Sequence, residues 1–142
     1  MIITRTPFRV TLGGGGTDLA SYYSKYGGFI FSFTLNKYMY ITLKRSFADD
    51  LIRIKYNKSE TVSKLSEIKH DIARACLKKE NITKGIEIAS MADIPSGSGL
   101  GSSSVYTIGL LSALHNLKRN YVSLKELAEE ACVIEIDILK KP

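Results

Sequence analysis

Residues 94–104 read IPSGSGLGSSS, and the rest of the fold is best predicted outward from this run. Gly97, Gly99 and Gly101 permit positive φ angles and a close approach of the main chain to a ligand. The apolar stretch that follows predicts a helix, whose first backbone N–H groups have no acceptor inside it. Free donors at the positive end of a helix dipole form a natural phosphate site. The alternative is a tight strand-to-helix turn capped by serine.

Secondary-structure patterns extend from this loop in both directions. A strand is predicted before it at 86–92 and a helix after it at 102–117. Towards the N-terminus, β-branched and aromatic runs predict five strands, the last three pairing as antiparallel neighbours: 2–6, 8–12, 29–34, 38–45 and 51–56. A capping position predicts a short helix at 19–25, and apolar residues at helical spacing predict another at 62–79. A capping box at 123–126 predicts the start of a last helix. This order predicts a single α+β domain over residues 1–142.

Length and composition exclude several protein classes. With 142 residues, 44% hydrophobic and 24% charged, the chain has the size and composition of one globular domain, which excludes disordered, collagen-like and coiled-coil proteins. No apolar run approaches the roughly 20 residues that cross a bilayer, and residues 1–5 lack the order of a signal peptide. The spacing of Cys76 and Cys132 fits no metal or redox motif and predicts buried thiols in a cytoplasmic protein.

Twelve of the twenty basic residues fall between positions 37 and 84, against six acidic ones, but no block of five or six like charges occurs. Basic residues such as Arg53 and Lys55 alternate with apolar ones, a pattern typical of solvated faces that attract anionic ligands. We therefore expect neither a nucleic acid nor a membrane as partner. A basic RNA-binding domain is the open alternative, and it would show a steep salt dependence of RNA affinity.

Two motifs resemble those of the GHMP kinases. The string P-x-G-x-G-L-G-S-S-S at 95–104 is similar to the second motif of that family, and residues 6–19 are similar to the first. The G-G-G-G-T-D segment at 13–18 most resembles the branch that acts on heptose 7-phosphate, with fucose and related sugar kinases nearby. The resemblance implies a ribosomal-protein-like two-layer fold with a left-handed βαβ unit and an antiparallel-rich mixed sheet packed with helices.

The activity that this resemblance implies is ATP-dependent phosphorylation of a sugar or sugar phosphate, with ATP and Mg2+ as cofactors. In the family, a base aspartate and a C-terminal domain would follow Pro142. We therefore expect residues 1–142 to be the N-terminal, ATP-binding domain, with little activity alone. Self-association through the surface that the C-terminal domain normally covers is also expected. The alternatives are a non-catalytic module that binds nucleotide or sugar phosphate, and a kinase for fucose or another sugar.

The resemblance also assigns roles to individual residues. ATP binding falls to the second motif: Pro95, Ser96, Gly97, Ser98, Gly99, Leu100, Gly101, Ser102, Ser103 and Ser104. Within it Ser103 is the expected magnesium ligand, with helix capping as the alternative role of the serines. Arg9 is expected to stabilise the transferring phosphate, unless it is a plain surface residue. Substrate binding falls to Gly15, Gly16, Thr17 and Asp18, with a turn and a helix cap as the alternatives.

Glu135 is the candidate magnesium ligand outside the two motifs. Leu124, Ala128, Ala131 and Ile138 form an apolar stripe at helical offsets, and Glu135 falls within that stripe. A buried carboxylate is costly unless it is paired or binds a metal. The family places a magnesium-binding glutamate on the corresponding helix. The alternative is a salt bridge to a lysine or arginine at the edge of the core.

Overall fold

The structure is a computed structural model that describes residues 1–140. Its strands are β1 (Ile2–Gly13), β2 (Phe31–Arg45), β3 (Ile52–Lys55), β4 (Ser59–Val62) and β5 (Ile86–Ala92). Its α-helices are α1 (Ala20–Tyr26), α2 (Asp71–Lys79), α3 (Ser102–Leu117) and α4 (Leu124–Cys132). Shorter helical turns are of the 3-10 type at Gly15–Asp18 and Leu65–Glu67, and of the π type at Val133–Ile138.

The five strands form one mixed sheet in the order β1-β2-β5-β3-β4. All neighbouring strands are antiparallel except β3 and β5, which are parallel and are connected through β4 and α2. The prediction of an α+β fold with an antiparallel-rich mixed sheet is therefore confirmed. The left-handed connection between β3 and β5 stays a prediction.

One face of the sheet is apolar and lies beneath the helices, while the other is charged. Met39, Ile41 and Leu43 alternate along β2 towards the buried face, as expected where one face of a sheet packs on a core. The charged face carries ion pairs such as Lys44 with Glu87, at 3.1 Å. Helix α3 packs on β1 and β2.

Gly109 allows α3 to come close to the sheet. A Cβ atom at this position would lie 3.0 Å from Oγ1 of Thr6 and 3.2 Å from Cδ1 of Ile41. The Thr4 hydroxyl donates to the Gly109 carbonyl at 2.9 Å, which fixes the helix on β1. This contact fixes the middle of α3 on the sheet.

The predicted strands merge and pair differently in the structure. The segments 2–6 and 8–12 are one strand, in which Pro7 is tolerated because β1 lies at the edge of the sheet. The segments 29–34 and 38–45 likewise belong to β2. The strand predicted at 51–56 is present as β3, but its predicted antiparallel pairing with the strand before it is wrong, since β5 lies between β2 and β3. Such a long-range insertion leaves no local signal in the sequence.

The predicted helix at 62–79 is also wrong over its first half. Residues 59–62 pair with β3, and α2 begins only at Asp71. The break has a clear cause: the Glu60 carboxylate accepts hydrogen bonds from the backbone N–H of Lys69 and of His70, which fixes a non-helical chain there. The helices predicted at 102–117 and after the capping box at Ser123 are confirmed. None of the helices in residues 1–140 has the length and apolarity to cross a membrane.

Candidate functional site

The glycine–serine loop ends in a glycine that begins α3. Gly97, Gly99 and Gly101 have φ angles of +84°, +75° and +76°, so each adopts the left-handed conformation that favours glycine. Gly101 is the N-cap of α3, and no side chain caps the helix there. The alternative role of the serines as helix caps is therefore wrong. The first bond of the helix runs from Val105 N to Gly101 O, so among the described residues, 1–140, the preceding N–H groups of the helix have no acceptor and are available to a ligand.

Three hydroxyl groups of α3 converge on the Glu135 carboxylate. Ser103 Oγ lies 2.9 Å from Oε1 and Ser104 Oγ lies 3.1 Å from Oε2. Thr107 Oγ1 lies 2.8 Å from Oε1. The structure thus brings together the two predicted magnesium ligands, Ser103 and Glu135, from chain segments that are 32 residues apart. Within residues 1–140 the hydrogen-bond donors to Glu135 are hydroxyls, so the alternative of a salt bridge is not observed.

The prediction that Leu124, Ala128, Ala131 and Ile138 form a buried stripe is wrong, although Glu135 does lie beside Ser103. Leu124 and Ile138 are 86% and 52% exposed. The buried stripe consists instead of Leu127, Ala131 and Ile134. The π-helical turn at Val133–Ile138 changes the helical period, and Glu135, next to Ile134, faces α3.

The oxygen atoms of Ser103 and Glu135 fit a magnesium ion. Two neighbouring ligands of an octahedral Mg2+ at about 2.0–2.1 Å lie about 2.9 Å apart, and Mg2+ prefers oxygen ligands. Ser103 Oγ and Glu135 Oε1 are separated by 2.9 Å. Both lie at the N-terminal end of α3, beside the free N–H groups that would hold phosphate.

Arg9 packs against the same helix end. A Cβ atom at Gly101 would lie 3.3 Å from Nε of Arg9 and 3.5 Å from its Cζ. The guanidinium also donates to Thr11 Oγ1 at 2.7 Å, which orients it along β1. Arg9 is therefore part of the loop region rather than a plain surface residue, and its positive charge adds to that of the helix terminus.

A cavity of about 600 Å3 opens beside the loop. Its walls include the loop residues Pro95, Ser96, Gly97, Ser102 and Ser103. They also include two methionines, Met39 and Met91, and an aromatic group that the sequence analysis missed, formed by Tyr56, His70 and Tyr106. The rings of His70 and Tyr106 stack with centroids 4.7 Å apart, and Tyr56 lies edge-on to His70 at 4.7 Å. A flat apolar ligand group has room here, next to the phosphate loop.

Glu60 holds the aromatic wall in place. Its carboxylate accepts from Tyr56 OH at 2.8 Å, from His70 N at 3.1 Å and from Lys69 N at 2.7 Å. Burial alone would raise the pKa of Glu60, but these hydrogen bonds outweigh it and lower the pKa below its usual value. Burial raises the pKa of the Tyr106 phenol. The only advance signal for Glu60 was an acidic residue within a basic segment.

Two hydroxyls in the cavity wall are buried without a hydrogen-bond partner among residues 1–140, those of Ser102 and Tyr106. An orphaned buried hydroxyl is costly, so its presence calls for an explanation. Beside a loop suited to phosphate, such groups are consistent with a site shaped for a polar ligand.

The first motif lies further along β1. Residues Gly15–Asp18 form a 3-10 turn, and the Thr17 hydroxyl lies within hydrogen-bond distance of the carbonyls of Gly14 and Phe29, at 2.7 and 3.0 Å. Helix α1 has Leu19 as its N-cap, so the alternative role of Asp18 as a cap is wrong. Gly15, Gly16 and Asp18 are exposed. Gly13 lies four residues from Arg9, roughly 13 Å along the strand, and substrate binding by the motif stays a prediction.

Known proteins resemble this chain in both sequence and fold. The family described as GHMP kinases N terminal domain matches residues 65–142. A curated relative, the D-glycero-alpha-D-manno-heptose 7-phosphate kinase of Campylobacter jejuni, is 30% identical over 147 residues, covering 94% of this chain and 43% of the relative. The chain thus spans less than half the length of that relative.

Solved structures show the same fold. A D-glycero-D-manno-heptose 1-phosphate kinase from Bacteroides thetaiotaomicron is 25% identical, with a TM-score of 0.87 over 100% of this chain and 50% of the other. The mevalonate kinase of Methanococcus jannaschii is 26% identical, with a TM-score of 0.75 over 99% of this chain and 47% of the other. With more than half of its residues matched by the family, this chain belongs to the GHMP kinase N-terminal domain family.

Proposed function

We propose that this chain is the nucleotide-binding part of a sugar kinase that uses ATP and Mg2+ to phosphorylate a heptose phosphate. The observation that carries the proposal is the Ser103–Glu135 pair beside the free N–H groups at the start of α3. Relatives named as heptose phosphate kinases support the substrate class. Their names differ in the phosphate position, 7 in one and 1 in the other, so the proposal extends to the class and not to the hydroxyl.

Each part of the site has a separate task in this proposal. The loop 95–104 would hold the triphosphate through backbone N–H groups, and the cavity beside it would take the base. Ser103 and Glu135 would hold Mg2+, which neutralises phosphate charge when bound. Arg9 would stabilise charge on the transferring group. Substrate would meet the exposed first motif, through Gly15, Gly16, Thr17 and Asp18.

Nucleotide binding is tested by titrating the isotopically labelled chain with magnesium-ATP. We expect the backbone amide resonances of residues 97–104 to shift. The Ser103→Ala variant would bind less tightly, while Ser112→Ala, on the same helix but away from the loop, would bind like the unaltered chain. Unmoved resonances at 97–104 in a folded sample would refute the proposed function.

Catalysis is a separate part of the proposal. Phosphoryl transfer depends on positioning and charge stabilisation, and this chain covers 43% of its curated relative. We therefore propose that residues 1–142 bind nucleotide but turn over slowly when tested alone with ATP, Mg2+ and a panel of heptose phosphates. Turnover at an ordinary enzymatic rate would contradict this. The non-catalytic binding module predicts that adding the other half of such a kinase restores no transfer.

A further inference from the structure

Two of the three hydroxyls that contact Glu135 have no assigned role in metal binding. Ser103 is the expected metal ligand, whereas Ser104 and Thr107 hydrogen-bond to the other expected metal ligand, Glu135. Thr107 is fully buried, at 0% exposure, and its Oγ1 lies 2.8 Å from Glu135 Oε1 and 2.9 Å from the Ser103 carbonyl. A buried polar side chain with two such acceptors is strongly restrained.

The acceptor positions of the Glu135 carboxylate can be assigned one by one to the hydroxyls around it. Each carboxylate oxygen accepts through about two lone-pair positions, and each hydroxyl has one proton. Thr107 takes one position on Oε1 and Ser104 takes one on Oε2. Because a carboxylate accepts more strongly than a carbonyl, the proton of Thr107 favours Glu135 over Ser103 O. The second position on Oε1 accepts from Ser103 Oγ at 2.9 Å, a hydrogen bond that metal binding would replace, since the same separation suits two ligands of one Mg2+.

We infer that Thr107 is a positioning residue, which together with Ser104 orients Glu135 so that Oε1 and Ser103 Oγ face the same divalent cation. This inference rests on the proposed function. The two expected metal ligands lie on different elements, Ser103 on α3 and Glu135 in the π-helical turn. Hydrogen bonds from Ser104 and Thr107 of α3 hold Glu135 in place relative to Ser103. Removing groups that hydrogen-bond to a metal ligand typically weakens metal binding 10- to 100-fold.

The test measures Mn2+ as a spectroscopic substitute for Mg2+. Free Mn2+ is followed by electron paramagnetic resonance as it is titrated into the 142-residue chain with a saturating non-hydrolysable ATP analogue. The Thr107→Val variant keeps the shape of the side chain but loses the hydroxyl, and we expect its Kd for Mn2+ to rise about tenfold or more. Thr107→Ser restores the hydroxyl and is expected to restore the Kd. The matched control is Thr42→Val, in strand β2, where the hydroxyl contacts Ala89 O.

A second variant keeps the test independent of the buried position. Ser104 is only partly buried, so Ser104→Ala is expected to fold normally and to raise the Kd for Mn2+ several-fold. Affinity for the analogue without metal should be unchanged in Thr107→Val, since the Thr107 hydroxyl is not assigned to the nucleotide. Thermal unfolding of each variant confirms that the fold is retained.

The Glu135→Gln variant distinguishes a failure of the proposed metal site from a failure of the positioning role of Thr107. If this variant and the unaltered chain bind Mn2+ equally, the proposed metal site is wrong and the positioning role of Thr107 is wrong with it. If Glu135→Gln loses Mn2+ but Thr107→Val and Ser104→Ala retain the original Kd, the metal site stands and the positioning inference is overturned.

Discussion

At the scale of single residues, the site depends on positions where only one residue type suits the geometry. Gly101 combines a left-handed backbone with a close contact to Arg9, and Glu60 satisfies three donors at once. Neither role is visible from the residue type alone. Glycines are common in turns, and an acidic residue on a strand is usually solvated.

Substituting Gly101 by alanine is expected to destabilise the chain and to disturb the loop. The left-handed conformation costs an alanine about 1 kcal/mol, and the new Cβ would displace the Arg9 side chain, 3.3 Å away. Urea unfolding and nucleotide titration measure the two effects. Gly97→Ala, with the same backbone strain but open space, should lose stability without moving Arg9, and Gly13→Ala should lose little. Equal stability of all three variants would contradict this account.

Glu60 is expected to make stability depend on pH. Its pKa is lowered on folding, so its contribution is fully present above its usual value of 4.5 and is lost as the pH falls through the lowered value. At pH 7, Glu60→Gln should reduce the free energy of unfolding by about 1–2 kcal/mol, because hydrogen bonds to a carboxylate become neutral ones. Urea unfolding at pH 7 and pH 3 should show a smaller pH effect in the variant. An identical pH dependence would show that Glu60 is not responsible.

At the scale of elements, a polar cluster at the C-terminal end of α3, opposite the end that carries the site, joins three helices. His115 of α3 lies 2.7 Å from the Glu130 carboxylate of α4 and 3.9 Å from that of Glu80, which follows α2. Lys118 completes the cluster at 2.9 Å from Glu80, which is only 6% exposed. Fixing α4 against α3 in this way also fixes the turn that carries Glu135.

Removing the Glu80 carboxylate is expected to destabilise the helical layer. Glu80→Ala removes the buried carboxylate that pairs with Lys118, while His115 keeps Glu130 at 2.7 Å, and losing such a charged hydrogen bond costs about 1.5–3 kcal/mol. The control is Glu129→Ala, whose exposed contact with Lys125 is 3.9 Å long and is worth less than about 0.5 kcal/mol. Chemical denaturation of both variants distinguishes the two. A loss for Glu80→Ala no larger than the control would show that the cluster is not structural.

At the scale of the whole molecule, the apolar core lies under α2, α3 and α4, but one end of the sheet is left uncovered within residues 1–140. Phe31 and Phe33 of β2 are 58% and 47% exposed, and Phe29 and Tyr26 nearby are 75% and 74% exposed.

The prediction of two buried thiols is half right: Cys76 is buried, with a pKa raised by that burial, whereas Cys132 is exposed.

We expect the exposed aromatic surface formed by Tyr26, Phe29, Phe31 and Phe33 to promote self-association of the 142-residue chain. Sedimentation over a range of concentrations should reveal oligomers. The double variant Phe31→Ser and Phe33→Ser should be more monomeric, while Phe47→Ser, 97% exposed but outside this surface, should behave like the unaltered chain. A monomer at high concentration of the unaltered chain would contradict the expectation.

The sequence by itself determined the elements that local patterns encode. Helix α3, strand β5, the glycine–serine loop and the cap at Ser123 were all predictable, because periodicity, positive-φ glycines and capping act over a few residues. Tertiary structure alone decided the insertion of β5 between β2 and β3, the packing of Arg9 on Gly101 and the aromatic wall held by Glu60. It also corrected the reason for Glu135, which lies at the site through a π-helical turn and not through the predicted stripe. These features depend on contacts between distant segments, whose energies appear only when the chain has folded.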